Sequence, residues 1–357
     1  MAKILYAYPE PLPSQKARCV QVIGTCTALA KLLPITLVAD IVGDIFSQFD
    51  LEKPEGMEII DLKRRLGPFV SNKWFSFKLR QMVKRIRPDI LWLRHPGLAR
   101  DLAAKGLPVI YELHEIFSDK HPDRADLFRT EMDLCRMVKG IACINRNLKL
   151  RWQELYGNIP ISIIPSGTFY DKNLKKELVP GSVDTIYYVG TTYYKWKGLN
   201  ILLDALERLE GIKLILVGDI LKEKLPDHIK NRVKCVGHLS NPEVRAMLKE
   251  AQITILPNSA NTVISRLYTS PLKLLEYMAA KTAIVASDLP SIREIVTEDE
   301  VLFFEPDDPV SLTNAVDKLS KDAKLRHKLA LAAWRKAERY SWEARAEKIK
   351  VFIKSLT

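Results

Sequence analysis

Short apolar runs recur along the chain, spaced so that one helix fits between each pair. In the first half they are ILYAY (4–8), ITLVA (35–39), MEII (57–60), DILWLR (89–94), PVIYEL (108–113), GIACIN (140–145) and ISIIP (161–165). Most are continuously apolar instead of alternating, the mark of strands buried on both faces in a parallel sheet. The stretches between them, such as VQVIGTCTALAKLL (20–33), have helical spacing and complete βα units. Polar YDKNLKKELVPGSVD (170–184) then interrupts the pattern and reads as an interdomain connector. A second series follows: TIYYVG (185–190), KLILVG (213–218), VKCVG (233–237), ITILP (253–257), AIVAS (283–287) and VLFFEP (301–306). Three of these end in Gly190, Gly218 and Gly237. In open α/β sheets ligands bind at that C-terminal edge, where glycine admits close backbone approach. The chain closes on the amphipathic SWEARAEKIKVFIKSL (341–356). The pattern predicts an α/β fold of two tandem Rossmann-like, doubly wound domains facing a cleft, over 1–172 and 183–340.

Composition agrees with that reading and narrows it. The 357 residues are 47% hydrophobic and 27% charged, a globular profile that accommodates two domains. No run approaches the 18 or so uncharged apolar residues of a membrane span, and MAKILYAYPEPLPS lacks the apolar core of a secretion signal. The five cysteines are scattered, without C-x-x-C or metal-ligand spacing. Reduced thiols and a cytoplasmic location are the expectation.

Motifs exclude some chemistries and favour another. Neither G-x-G-x-x-G nor G-x-x-x-x-G-K-[ST] occurs, which disfavours a classical NAD enzyme or P-loop ATPase. His114-Glu115 begins like a zinc-protease motif, but the next histidine is His121, off the required helical face. No Asp-x-Asp pair follows a strand, so metal-held diphosphate lacks its usual carboxylates. In VGTTYYKWKGLNILLDAL (189–206), Lys197-Gly198 stands at the entry to an apolar-periodic helix. A lysine there suits the helix dipole only beside an anion; a solvated surface lysine is the plain alternative. In SPLKLLEYMAAK (270–281), Ser270 and Pro271 read as an N-cap followed by proline at the first helical position. The free amides of that turn could bind a diphosphate. Glu276 sits among apolar neighbours, where a carboxylate is either a dipole-compatible helix stabiliser or a ligand group.

SPLKLLEYMAAKTAIVASDLPSIREIV, together with YYVGTTYYKWKGLNILLDAL and VKCVGHLSNPEVRAMLKEAQITILP, strongly resembles the GT-B retaining glycosyltransferases of family 4 (glycosyl transferases group 1). The resemblance spans nearly all of the C-terminal half. It is looser in the N-terminal half, where VIYELHE, NRNLKLRW and IIPSG carry it. The resemblance implies a nucleotide-sugar-binding C-terminal domain, an acceptor-binding N-terminal domain, and a last helix (341–357) that returns to the latter. It implies transfer from a UDP- or GDP-sugar type of donor to a hydroxyl of a glycan or lipid-linked acceptor, in surface polysaccharide or glycolipid synthesis. Neither a metal nor any other cofactor is expected. Glu276 would accept from the ribose hydroxyls, and Lys197 would neutralise the diphosphate. Gly237, His238 and Leu239 would border the base, and His114 would face the donor sugar near its reacting carbon. Gly190, Thr191, Gly218, Ser270, Leu272 and Lys273 complete the implied binding set. Two positions depart from the family pattern: Tyr268 stands where the family has its first glutamate, and Thr191 where a basic residue usually follows the glycine. Lys273 is expected to supply the missing charge, and it joins His114 and Lys197 as the catalytic set. A nucleotide-sugar epimerase, a phosphorylase and a non-catalytic nucleotide-sugar-binding subunit remain the alternatives.

Net charge is +12 and uneven: from Asp61 to Asp89 there are nine Lys/Arg and no acid between them. Within SNKWFSFKLRQMVKRIR (71–87), Phe75, Leu79, Met82, Val83 and Ile86 form one helical stripe. An ordinary sheet-covering helix with a solvated basic face is one reading. The other is that residues 63–87 dock on anionic lipid, with Trp74 and Phe77 at the interface, making the protein peripheral to the membrane. No nucleic-acid-binding module is evident.

Overall fold

The computed structural model describes all residues except Met1, Gln15, Gly67, Pro68, Ser71, Thr192, 220–222, Lys224 and Thr357. The chain divides into two compact units, one of Met1–Gly167 with Trp342–Thr357, the other of Thr168–Ser341.

The first unit is built on a parallel sheet of seven strands: β1 (Ile4–Leu12), β2 (Ile35–Ile41), β3 (Met57–Asp61), β4 (Ile90–Leu93), β5 (Val109–Leu113), β6 (Gly140–Cys143) and β7 (Ile161–Ile163). Their spatial order is β3-β2-β1-β4-β5-β6-β7. Every apolar run of the first half became one of these strands. The central ones are buried throughout, as a sheet covered on both faces requires. β1 runs four residues beyond ILYAY because β2 keeps pairing with it past a register shift between Tyr8 and Pro11.

The closing helix, Trp342–Leu356, packs on the first helix of the chain, Ala17–Ala30. Trp342 fills a slot that only glycine permits: a Cβ on either Gly24 or Gly167 would lie 2.2 Å from its ring. The helix buries Trp342, Arg345, Ala346, Ile349, Phe352 and Ile353, a stripe at helical spacing with one arginine in it.

The second unit repeats the plan with six parallel strands: β8 (Thr185–Val189), β9 (Lys213–Val217), β10 (Val233–Gly237), β11 (Ile253–Leu256), β12 (Ala283–Ser287) and β13 (Leu302–Phe304). The order is β10-β9-β8-β11-β12-β13, so the strand order reverses between β8 and β11. Ligands of such sheets bind beyond the strand ends at that reversal. Residues 170–184 belong to this unit. There Lys176 donates to the carbonyls of Leu248 (3.0 Å), Ala251 (2.5 Å) and Ala280 (2.9 Å).

Helix Asn72–Ile86 of the first unit buries Phe75, Leu79 and Val83 and leaves Lys73, Lys84 and Arg85 exposed. The hairpin pairing Arg65–Leu66 with Phe69–Val70 precedes it. Gly67, Pro68 and Ser71 of the basic block lie outside the described residues. Among the described residues no helix is long and apolar enough to cross a membrane.

Candidate functional site

The glycines at the second sheet's edge bring backbone against backbone. Gly190 follows β8 with φ +154°, and its N–H donates to Val217 O at 2.9 Å. Gly218 follows β9 with φ +149°, and a Cβ there would stand 2.1 Å from Gly190 O. No side chain fits between them, so the edge at the strand reversal stays low and open to a ligand. Thr191 donates its hydroxyl to Asp219 at 2.7 Å.

Lys197 ends a single turn, Lys195–Lys197, and Gly198 separates it from helix Leu199–Arg208. Its ammonium lies 5.6 Å from the Tyr194 ring centroid and 5.7 Å from that of Trp196. Burial pushes its pKa down, opposed by Asp219. The turn is tied to the end of β11, with Ser259 N–H donating to Trp196 O at 2.8 Å.

The Glu276 helix begins one residue later than the sequence predicts. It spans Leu272–Ala279, and Pro271, in extended conformation, occupies the cap position. Ser270 is therefore not the N-cap: a residue before proline is pushed out of the helical region, so the side chain falls too early to reach the first-turn amides. Its hydroxyl is buried and has no hydrogen-bond partner among the described residues. The first helical bond runs from Leu274 N–H to Pro271 O, which leaves the amides of Leu272 and Lys273 ahead of it.

Lys273 is the most unusual group in the unit. Its ammonium is buried and makes no hydrogen bond among the described residues, and it lies 4.2 Å from the Tyr188 ring centroid. A Cβ on Gly190 would be 3.0 Å from it, so it reaches the β8 edge. Burial, and then Lys197, push its pKa well below the ordinary lysine value against the pull of Glu276. Burial pushes the Glu276 carboxyl up to about 7, opposed by Lys273, Arg245 and a long 3.5 Å contact from Asn241 Nδ2. Two buried lysines disfavour each other's charge while burial holds a nearby carboxyl partly protonated near neutral pH, an arrangement that a bound anion would relieve.

Gly237 turns at φ +82°, His238 is exposed and Leu239 is half-buried; the same stretch leads to Asn241 and hence to Glu276. Tyr268 is buried at the end of the π-helical turn Ile264–Tyr268. The predicted residues Gly190, Thr191, Lys197, Gly218, Lys273 and Glu276 thus gather at one sheet edge. Sequence reading missed Tyr188, Asp219, Asn241 and Arg245. The acid directly after Gly218 was the available signal for Asp219.

His114 lies in the first unit, directly after β5. Its Nε2 is 2.9 Å from Glu112 Oε1, and burial together with Arg94 pushes its pKa down to about 4 against the pull of Glu112. Glu112 was not anticipated, although an acid inside VIYEL is as conspicuous as the one inside SPLKLLEYMAAK.

Lys63 is drawn out of the basic surface by Asp40 (3.4 Å) and Asp61 (3.1 Å). A cavity of about 900 Å³ opens at the opposite, N-terminal edge of the second sheet, between Asp184, Arg208, Glu210, Gln252 and Asp317, away from these residues. Among the described residues no three His, Cys, Asp or Glu side chains gather as metal ligands.

Known proteins share this plan. Residues 183–322 match the family model described as glycosyl transferases group 1, and residues 41–169 match that of glycosyltransferase family 4. The phosphatidyl-myo-inositol mannosyltransferase of Mycobacterium leprae is 27% identical over 215 residues, covering 57% of this chain and 56% of that protein. The protein of the same name from Mycolicibacterium smegmatis is 26% identical over 210 residues, covering 55% and 52%. The chain thus spans about half the length of the curated relatives it matches. HepE of Anabaena, solved with UDP and glucose, superposes with a TM-score of 0.77 at 17% identity over 99% of this chain and 100% of that one. WaaG, a glycosyltransferase involved in lipopolysaccharide biosynthesis, gives 0.70 at 14% over 98% and 99%. With both halves matched by glycosyltransferase models and the whole chain by GT-B structures, the chain belongs to glycosyltransferase family 4 and has the GT-B fold.

Proposed function

We propose that the chain transfers a sugar from a nucleotide-diphosphate sugar to a hydroxyl of a glycan or lipid-linked acceptor, retaining configuration and using no metal. The observation that carries this reading is the Lys273 ammonium, buried beside Lys197 and the Gly190 edge with no hydrogen bond among the described residues, on a helix whose preceding Ser270 hydroxyl is likewise buried without one. A diphosphate supplies the charge and the acceptors that all of these lack. Glu276 then accepts from the ribose hydroxyls, and the Gly237–Leu239 turn borders the base. The acceptor oxygen bonds to the anomeric carbon on the face from which the diphosphate leaves. Its proton passes to the departing diphosphate oxygen, whose charge Lys197, Lys273 and the first-turn amides stabilise. His114 contacts the donor sugar. The mannosyltransferases named for phosphatidyl-myo-inositol support a lipid-linked acceptor and a role in glycolipid or surface-glycan synthesis. The UDP in HepE supports a nucleoside-diphosphate donor.

A thermal-shift screen against UDP-, GDP-, ADP- and CMP-sugars tests the donor, because binding to the native state alone raises its stability. One diphosphate nucleotide should raise Tm, and Lys273→Ala should weaken it about as much as Lys197→Ala. Unchanged binding in Lys273→Ala would sink its assignment. The anomeric configuration of the product, read by NMR, tests retention, and activity in excess chelator tests metal independence.

Tyr268 in place of the family glutamate favours a second reading, a non-catalytic nucleotide-sugar-binding subunit. Slow donor hydrolysis that disappears in His114→Ala and Glu276→Ala separates the two.

For the membrane, the support is helix Asn72–Ile86. Its exposed face carries Lys73, Lys84 and Arg85, with Arg87 just beyond, beside Phe77 stacked on Trp74 at 5.8 Å. A cation near an anionic bilayer contributes roughly 1 kcal/mol. Sedimentation with anionic but not zwitterionic vesicles is expected, reduced by charge reversal at Arg80, Lys84 and Arg85. Equal partitioning to both counts against it.

A further inference from the structure

Five side chains meet the Glu112 carboxylate. It sits in the middle of the sheet, 1% exposed. Its Oε2 accepts from Tyr6 OH and from Trp92 Nε1, each at 2.7 Å. Its Oε1 accepts from Arg345 at 2.6 Å, with a longer contact from Gln21 at 3.4 Å, and lies 2.9 Å from His114 Nε2. An indole N–H and a guanidinium can only donate, so each oxygen is already committed as an acceptor.

Arg345 is complete in its turn. Beyond Glu112 it donates to Thr25 Oγ1 (3.0 Å), Ile164 O (2.7 Å) and Pro165 O (2.5 Å). Burial acts to raise the Glu112 carboxyl, but Arg345, His114 and Arg94 together hold it well below the usual carboxylate range. Next to an ionised carboxylate, the neutral imidazole of His114 can meet Oε1 only by carrying its proton on Nε2.

The other ring nitrogen is then fixed as a lone pair. Nδ1 makes no protein hydrogen bond among the described residues. The His114 side chain is 14% exposed against 1% for Glu112, so the open part of the ring faces away from the carboxylate. We propose that Glu112 is a positioning residue, held as a carboxylate by Arg345 of the closing helix. It locks His114 in the Nε2–H tautomer and presents Nδ1 as a hydrogen-bond acceptor to a donor-sugar hydroxyl. This rests on the assignment of His114 to the donor sugar made above. The closing helix thereby acts on chemistry at the edge of β5 without supplying a side chain to it. The groups facing the pair are Tyr6 from β1, Arg94 after β4, Cys26 from the first helix and Arg345 from the last.

The test is the long-range ¹⁵N–¹H spectrum of the full chain labelled at histidine, with His114 assigned by its loss in His114→Gln. The wild type should show one tautomer, Nε2–H, and no titration of that ring between about pH 5.5 and 8. In Glu112→Gln the amide can donate as well as accept, so both tautomers should appear. Donor turnover should then fall at least about tenfold in kcat, with the donor KM within about threefold. Ile349→Ala, a cavity in the same helix, is the control for destabilisation alone; it should leave the tautomer in place. An Nδ1–H or mixed His114 in the wild type overturns the proposal, whether or not Glu112→Gln folds. So does a Glu112→Gln protein with an unchanged tautomer. A locked tautomer with full donor turnover in His114→Ala overturns instead the role of His114 in catalysis.

Discussion

Two carboxylates interrupt apolar patterns in this chain, Glu112 in VIYEL of the first unit and Glu276 in LKLLEYMA of the second, and their surroundings are opposite. Glu112 meets donors from Tyr6, Trp92, Arg345, His114 and Gln21 and is held ionised. Among the described residues Glu276 has a single hydrogen-bond contact, a long 3.5 Å one from the Asn241 amide, and burial lifts it to about 7. Two buried lysines of the second unit differ the same way. Lys176 gives its ammonium to three carbonyls, whereas the Lys273 ammonium makes no hydrogen bond among the described residues. A buried charge completed by protein belongs to the architecture, while one left incomplete at an open sheet edge is set for a ligand.

The comparison breaks most visibly in stability. Removing one partner of the first-unit pair, in Glu112→Ala or Arg345→Ala, should cost about 3–5 kcal/mol because the other charge is left buried and alone. Glu276→Ala should cost under about 1 kcal/mol in chemical denaturation yet abolish the nucleotide-induced rise in Tm. Equal destabilisation by both would erase the distinction.

Next in size are the lysines. Lys176→Met leaves three carbonyls without their donor and should lose about 2–3 kcal/mol. Lys273→Met removes a desolvated, unpaired cation, so stability should hold or rise while nucleotide affinity falls at least about tenfold. Titrating both variants with the nucleotide found in the donor screen decides it.

The smallest expected effect is in pH dependence. The folded-state pKa of Glu276 is raised, so between its ordinary value of 4.5 and about 7 the folded protein holds a proton that the unfolded chain has lost. Its contribution is therefore fully present below that window and fades as pH rises through it, by on the order of 2 kcal/mol. Subtracting the Glu276→Gln stability profile from the wild type should show this decline and a plateau only above about pH 8; a flat difference would place Glu276 in an ordinary, solvated setting.

Much of this was legible in the chain itself. Each of the thirteen strands of the two parallel sheets lies on an apolar run, because burial on both faces leaves few alternatives to β-branched and aromatic residues. Glycine after β8 and β9 and the lysine at 197 could be read as an anion-binding edge from spacing and helix-end chemistry, whereas Lys273 is reached through the family resemblance, as the charge missing where Thr191 stands. Ser270 was misplaced by one residue, since proline favours both the cap and the first helical position and only backbone angles separate them. Nothing in the amphipathic SWEARAEKIKVFIKSL singles out Arg345, which lies on the buried stripe.

Sequence by itself thus determined what is local and periodic: the strands, the two α/β units, the glycine edge and the family. Tertiary structure decided which buried charges are finished. Arg345 reaches Glu112 across 233 residues, and Gln21 approaches it across 91. Whether a carboxylate in an apolar run is an architectural hub or a ligand group depends on such distant donors, because desolvation is set by everything that packs around a group and not by its neighbours in the chain.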